Sequence, residues 1–157
     1  MTKFEEFEQV IACLRAPDGC PWDRAQTHAS LKRTCIEEAA EVICGINILD
    51  RTGDPDNLKE ELGDLLMQVV MHARIAEEEG LFTMDDVIQS ITDKMIRRHP
   101  HVFGTDKGPG DDGSQASWDE IKKQEKAGKE WTEEYLPKAF NESIELIRAA
   151  KKRKGIG

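Results

Sequence analysis

The chain has 157 residues, 34% of them charged and 38% hydrophobic, with a formal net charge of −9. This length suffices to bury a core without disulfides. The acid excess removes any general attraction to nucleic acid or anionic membrane, so neither is an expected partner. No apolar run approaches the ~20 residues of a membrane span. The opening Met1-Thr2-Lys3-Phe4-Glu5-Glu6 also lacks the apolar centre of a signal peptide, which makes a cytoplasmic location the expectation. Cys13, Cys20, Cys35 and Cys44 form no C-x-x-C pair, so free, reduced thiols are expected rather than a zinc site.

Residues 3–15 place Phe4, Phe7, Val10, Ile11 and Leu14 on one helical face. A loop follows, Ala16-Pro17-Asp18-Gly19-Cys20-Pro21-Trp22-Asp23. Thr27 or Ser30 can cap a second helix running to about Asp50. Asp54, with Pro55 behind it, starts a third helix that runs to about Glu79, where Gly80 ends it. Thr83 and Asp86 resemble a capping box for a fourth helix carrying Val87, Ile88, Ile91 and Met95, which Pro100 stops. Residues 104–116 read as a mobile loop. Ser117 and Glu120 predict a capping box for a short fifth helix, and Gly128 breaks the pattern. A last helix is expected from about Pro137 into the basic run Lys151-Lys152-Arg153-Lys154. No strand-like alternation appears. The expected fold is all-α, a helical bundle centred on two long antiparallel helices and completed by dimerisation.

The functional signal is a break in this patterning. The second helix has an apolar stripe of Leu31, Cys35, Val42, Ile46 and Leu49. At 100° per residue Glu38 falls inside that stripe, Glu41 lies on its border, and Glu37 points away to solvent. In the third helix, Asp64 is the only charge among the apolar residues 62–71, with Glu61 beside it at i−3 and Glu60 pointing elsewhere. A short connection makes the two helices antiparallel and brings the acid pairs together. An E-x-x-E pair alone is usually a solvated acid surface. Two pairs on neighbouring helices in apolar surroundings repel, at roughly 4 kcal/mol per close pair at moderate dielectric, unless protons or cations neutralise them. All-oxygen ligation suits Mg²⁺, with Mn²⁺ as a possible substitute.

Glu38-x-x-Glu41 followed by Glu61-x-x-Asp64 resembles the metal motif of the all-α nucleoside triphosphate pyrophosphohydrolases. The segments Gly19-Cys20-Pro21-Trp22-Asp23, Gln26-Thr27-His28, Glu60-Glu61-Leu62-Gly63-Asp64-Leu65-Leu66, residues 94–103 and Trp118-Asp119-Glu120-Ile121-Lys122 are similar to MazG proteins. The resemblance covers roughly residues 13–126. It implies a MazG-like domain over 1–126 and an extension helix with a basic tail over 127–157. Many MazG proteins carry two such domains; this sequence has one acid constellation, and Leu136 to Gly157 resembles the connecting helix after a first domain.

The resemblance implies Mg²⁺-dependent hydrolysis of nucleoside triphosphates to monophosphate and pyrophosphate, suited to nucleotide-pool housecleaning. It makes Glu38, Glu41, Glu61 and Asp64 the metal ligands. Lys94 and Arg98, four apart on one helix face, would stabilise charge on the triphosphate. Trp118 would sit beside base or sugar, and Lys122 beside phosphate. Glu37, Glu41, Glu60 and Glu61 all remain open as proton acceptor. Trp22, with Gln26 and His28, reads equally as packing or as a base contact. His99 and His101 flank Pro100 as a rigid helix exit rather than a metal site, and His72 reads as packed or partner-facing. Gly108-Pro109-Gly110 lacks the Lys-Ser or Lys-Thr of a phosphate-binding loop. Two alternatives stand beside this reading. One is a narrow-specificity enzyme on the same scaffold; the other is a weakly active nucleotide- or partner-binding module. The apolar circumference around residues 65–71 calls for cover by a second subunit, so a homodimer is expected.

Overall fold

The computed structural model describes residues 1–104 and 113–157, and every regular element among them is helical. The remainder of the expected 104–116 loop, including the Gly108-Pro109-Gly110 tract, lies outside the described residues. In order, the helices are α1 (Lys3–Arg15), α2 (Pro21–Arg24), α3 (Lys32–Thr52), α4 (Asp56–Glu78), α5 (Met84–Arg98), α6 (Pro100–Phe103) and α7 (Gln115–Lys126). A 3-10 turn (Glu130–Glu134) leads into α8 (Tyr135–Lys154). None is long and apolar enough to cross a membrane. The chain divides into two compact units, residues 1–84 with 141–157, and residues 85–140.

In the first unit, α1 starts with Thr2, whose hydroxyl accepts the Glu5 N–H while the Glu5 carboxylate accepts the Thr2 N–H. This reciprocal capping satisfies two of the orphan donors of the first turn. Asp54 accepts the Asp56 N–H at 2.9 Å, but the N-cap position of α4 is Pro55, so Asp54 stands one residue before the cap the sequence predicts for it. Two further starts differ from expectation. α3 begins at Lys32, because Thr27 and Ser30 bond each other's N–H in the turn before it instead of capping the helix. The expected loop at 16–23 contains the short helix α2, with Pro21 in its first position.

The dry core joins Ile11 of α1, Leu31, and Val70, Met71 and Ile75 of α4, with Phe4, Phe7 and Leu14 packed against it. Arg15 fastens the entry loop to this core. Its guanidinium, 7% exposed, donates to the Glu78 carboxylate at 2.8 Å and to the carbonyl oxygens of Asp23 and Gln26 at 2.6 and 3.2 Å. The same ion pair holds the Glu78 carboxyl below its ordinary pKa.

α3 and α4 form the antiparallel pair. Gly45 sets their separation: a Cβ there would lie 2.8 Å from the Leu58 Cα, closer than real contacts allow. The predicted α3 stripe is only partly covered. Leu31 is buried and Val42 and Leu49 are half-buried, but Cys35 and Ile46 are exposed. The face toward α4 follows Leu31, Thr34, Glu38 and Gly45, a register that the close approach at Gly45 selects.

In the second unit, Ser114 rather than Ser117 caps α7: its hydroxyl accepts the Ser117 N–H at 3.2 Å. The helix starts earlier than the Ser117–Glu120 pair suggested, so Ser117 lies within its first turn. α7 ends at Lys126, and Gly128 follows with φ +81°. The described cysteines are all free thiols.

Candidate functional site

The α3–α4 pair turns its acids toward one another. Carboxylate oxygens of Glu38, Glu61 and Asp64 lie within 4.8 Å of each other, and all three residues are half-buried. Oε2 of Glu38 is buried and has no hydrogen-bond partner. Burial, a hydrogen bond shared with Glu41, and repulsion from Glu41, Asp64 and Glu61 push the Glu38 carboxyl up to about 7. Desolvation and the neighbouring acids Glu41, Asp64 and Glu60 also raise Glu61, against a 3.3 Å hydrogen bond from Asn57. A buried oxygen without a partner beside converging carboxylates is a donor set that fits a hard divalent cation.

Glu41 stands at the edge of this group. It hydrogen-bonds with Glu38, and its Oε1 accepts from Lys154 at 3.1 Å; both contacts lower its pKa. Glu37 departs from the sequence reading. Its side chain is only 13% exposed and is paired with Arg153, so it is not a solvated acid. α8, more than a hundred residues away in sequence, covers that face of α3. Glu60 is exposed, as its position on the helix suggests.

One turn toward the start of α3, a cavity of about 500 Å³ is lined by Trp22, Gln26, Thr34, Glu37, Gln68 and Met71, among others. Trp22 is 68% exposed, and Gln68 is 2% exposed with its Oε1 unpartnered. The spacing on α4 could have flagged Gln68, which follows Asp64 at i+4 on the same face. His72, one turn further on, stacks on His28 with Nδ1 atoms 2.7 Å apart and is packed as expected. Burial and the facing His28 lower its pKa.

The second unit holds the basic and aromatic candidates. Lys94, Arg97, Arg98 and Lys129 line a cavity of about 890 Å³ that also contains Asp93 and Glu125. Glu125 receives both arginines at 2.7 Å, and these contacts hold its carboxyl below the ordinary range. Arg98 lies 5.4 Å over the Trp118 ring, which makes a T-shaped contact with His99, ring centres 5.0 Å apart. Lys94 and Arg98 therefore share one cavity, and Trp118 supports Arg98. Lys122 is half-buried on α7 and is not among the residues lining this cavity. His99 is occupied by the Met95 carbonyl at 2.6 Å.

Residues 26–103 match the family model described as the MazG nucleotide pyrophosphohydrolase domain. The chain is 52% identical over 126 residues to the nucleoside triphosphate pyrophosphohydrolase/pyrophosphatase MazG of Thermotoga maritima, covering 80% of this chain and 46% of that protein. It is 41% identical over 130 residues to the nucleoside triphosphate pyrophosphohydrolase of Escherichia coli K12, covering 82% and 48%. It is 50% identical over 124 residues to the uncharacterized protein YabN of Bacillus subtilis, covering 79% and 24%. The chain thus spans less than half the length of each of these relatives.

Proposed function

The chain belongs to the MazG nucleotide pyrophosphohydrolase family over residues 26–103, and on that premise we propose that it cleaves nucleoside triphosphates at the α-phosphorus. The products are nucleoside monophosphate and pyrophosphate. The observation that carries this reading is the meeting of Glu38, Glu61 and Asp64 around the unpartnered Glu38 oxygen. These three, joined by Glu41, would hold Mg²⁺, with Mn²⁺ as a substitute. When bound, such an ion polarises a phosphoryl oxygen and makes water a stronger nucleophile at neutral pH.

The chain's own residues do the positioning. The carboxylates would place a bound cation where it can hold the α-phosphate; water then forms the new P–O bond in line, the bond to the α–β bridging oxygen breaks, pyrophosphate leaves and a neighbouring carboxylate accepts the proton. Thr34 and Glu38 lie one helical turn apart, about 6 Å along the axis. A base seated on Trp22 and read by the Gln68 amide is therefore at a suitable distance from phosphate held at the acids. Within the second unit, Lys94, Arg98 and Lys122 are proposed as cations for phosphate, and Trp118 packs on Arg98. A cytoplasmic nucleotide pool is the setting this chemistry suits.

Leu62, Leu66 and Val69 recur at i, i+4 and i+7 on α4 and are 50, 41 and 40% exposed. That stripe is the proposed contact with a second copy of the chain. A monomer by light scattering at micromolar concentration would refute the dimer.

The test of the activity is product analysis. Purified protein, each common nucleoside triphosphate and Mg²⁺ are incubated, and products are separated by ion-exchange chromatography beside a Glu38→Ala control. Monophosphate with pyrophosphate, lost in the control and with chelator, is expected. Diphosphate with phosphate would overturn attack at the α-phosphorus. Nucleotide and Mg²⁺ binding without turnover would favour the binding-module alternative.

A further inference from the structure

The acid cluster has an unexpected neighbour, the end of α8. Along α8, Ser143, Leu146, Ile147 and Ala150 are its covered positions, with Ala150 6% exposed. Lys154 follows Ala150 at i+4 on the same side of the helix and is itself exposed. Three ion pairs lay α8 along α3: Glu142 with Lys32 at 2.9 Å, Arg153 with Glu37, and Lys154 with Glu41 at 3.1 Å. The helix end is itself closed. Ile156 N–H donates to the Lys151 carbonyl at 3.0 Å, and Gly155, with φ +67°, donates to Lys152 at 3.3 Å. This paired bonding is the Schellman cap, which a left-handed glycine allows. The last turn therefore presents Arg153 and Lys154 from an ordered helix end. Lys151 and Lys152, on the same turn, are exposed.

We propose that the last turn of α8 is an internal counter-cation for the carboxylate cluster. Lys154 holds Glu41, and Arg153 the adjacent Glu37, while no divalent ion is bound; the ion must displace Lys154 to gain Glu41 as a ligand. Cation binding at the centre and docking of the last turn of α8 thus compete for one carboxylate. Each then regulates the other, since coupling between two binding events is reciprocal. This inference rests on the metal-centre reading above.

Mn²⁺ titration of the full chain without nucleotide, followed by the electron spin resonance of free Mn²⁺, tests it. Lys154→Met is expected to tighten Mn²⁺ binding about two- to five-fold, the scale of losing one partly exposed ion pair. Lys154→Arg should behave as the parent, and Lys152→Met, which removes the same charge from the same turn, should change affinity by less than Lys154→Met. In the parent, saturating Mn²⁺ should speed hydrogen exchange at the amides of residues 151–156. Equal tightening in Lys152→Met would reduce the effect to net charge and overturn the proposal. Unchanged binding in Lys154→Met, or unchanged exchange on adding Mn²⁺, would also overturn it and leave the metal centre standing. A parent chain that binds no Mn²⁺ would end the metal-centre reading and this inference together.

Discussion

In the C-terminal half of α4, Val70, Met71, Ala73, Ile75 and Ala76 are at most 3% exposed, and Val70, Met71 and Ile75 pack with Ile11 and Leu31. In its N-terminal half, Glu61 and Asp64 turn carboxylates toward Glu38 on α3. The two halves share one helix, yet one buries apolar side chains while the other gathers like charges. Stability that the dry half supplies lets the acid half keep an arrangement that would not hold itself together. Substitutions in the two halves should therefore fail in different ways.

The largest effect is expected at Glu38→Ala or Asp64→Ala. Triphosphate turnover should fall by roughly 10²–10³-fold, the scale of removing one preorganised electrostatic group. The metal-free melting temperature should stay level or rise, because a repelling acid is gone. Product chromatography beside circular dichroism melts reads both, and a melting loss as deep as a core variant's would erase the distinction between the halves. Ile75→Ala should do the reverse. Unfolding in urea should show a loss of about 2–5 kcal/mol, with Mn²⁺ affinity of the folded protein unchanged.

Gly45→Ala sharpens the comparison because it strains the helix pairing in the half that carries the acids. The added methyl meets backbone at Leu58, so the helices must part at a cost of about 1–3 kcal/mol. Mn²⁺ binding should weaken alongside, as measured by the same titration. The smallest effect is on pH dependence. The Glu38 carboxyl is raised from 4.5 to about 7 in the metal-free fold. Its contribution to stability is therefore complete below pH 4.5 and lost as pH rises through 7. Urea midpoints at pH 5 and 8 should differ more for the parent than for Glu38→Gln. Mg²⁺ should shift the parent's balance toward high pH, because it binds the ionised form.

Much of the site was legible because the helical period exposes a charge on an apolar face. Glu38 and Asp64 stood out this way, and the short Gly53–Pro55 connection implied that their helices pair. The helix start at Lys3 follows its local capping box, and those at Asp56 and Met84 follow the breaks at Gly53 and Gly80. Ser117 misled because Ser114, three residues earlier, offers the same hydroxyl chemistry. Gly45 left one unused signal, since a mid-helix glycine costs about 1 kcal/mol against alanine and calls for a packing reason.

The sequence by itself determined an all-helical chain, its main helix boundaries and the two acid pairs, because periodicity and capping act within a few residues. Only the tertiary structure decided the register of α3 on α4, set by backbone contact at Gly45. It alone also decided the Arg15 bridge to Glu78 and the cover that α8 lays over Glu37 and Glu41. Those contacts join residues far apart in the chain, and each depends on which surfaces remain after the core has closed. A local pattern such as the mid-helix Gly45 can ask for a packing partner, but it does not name one.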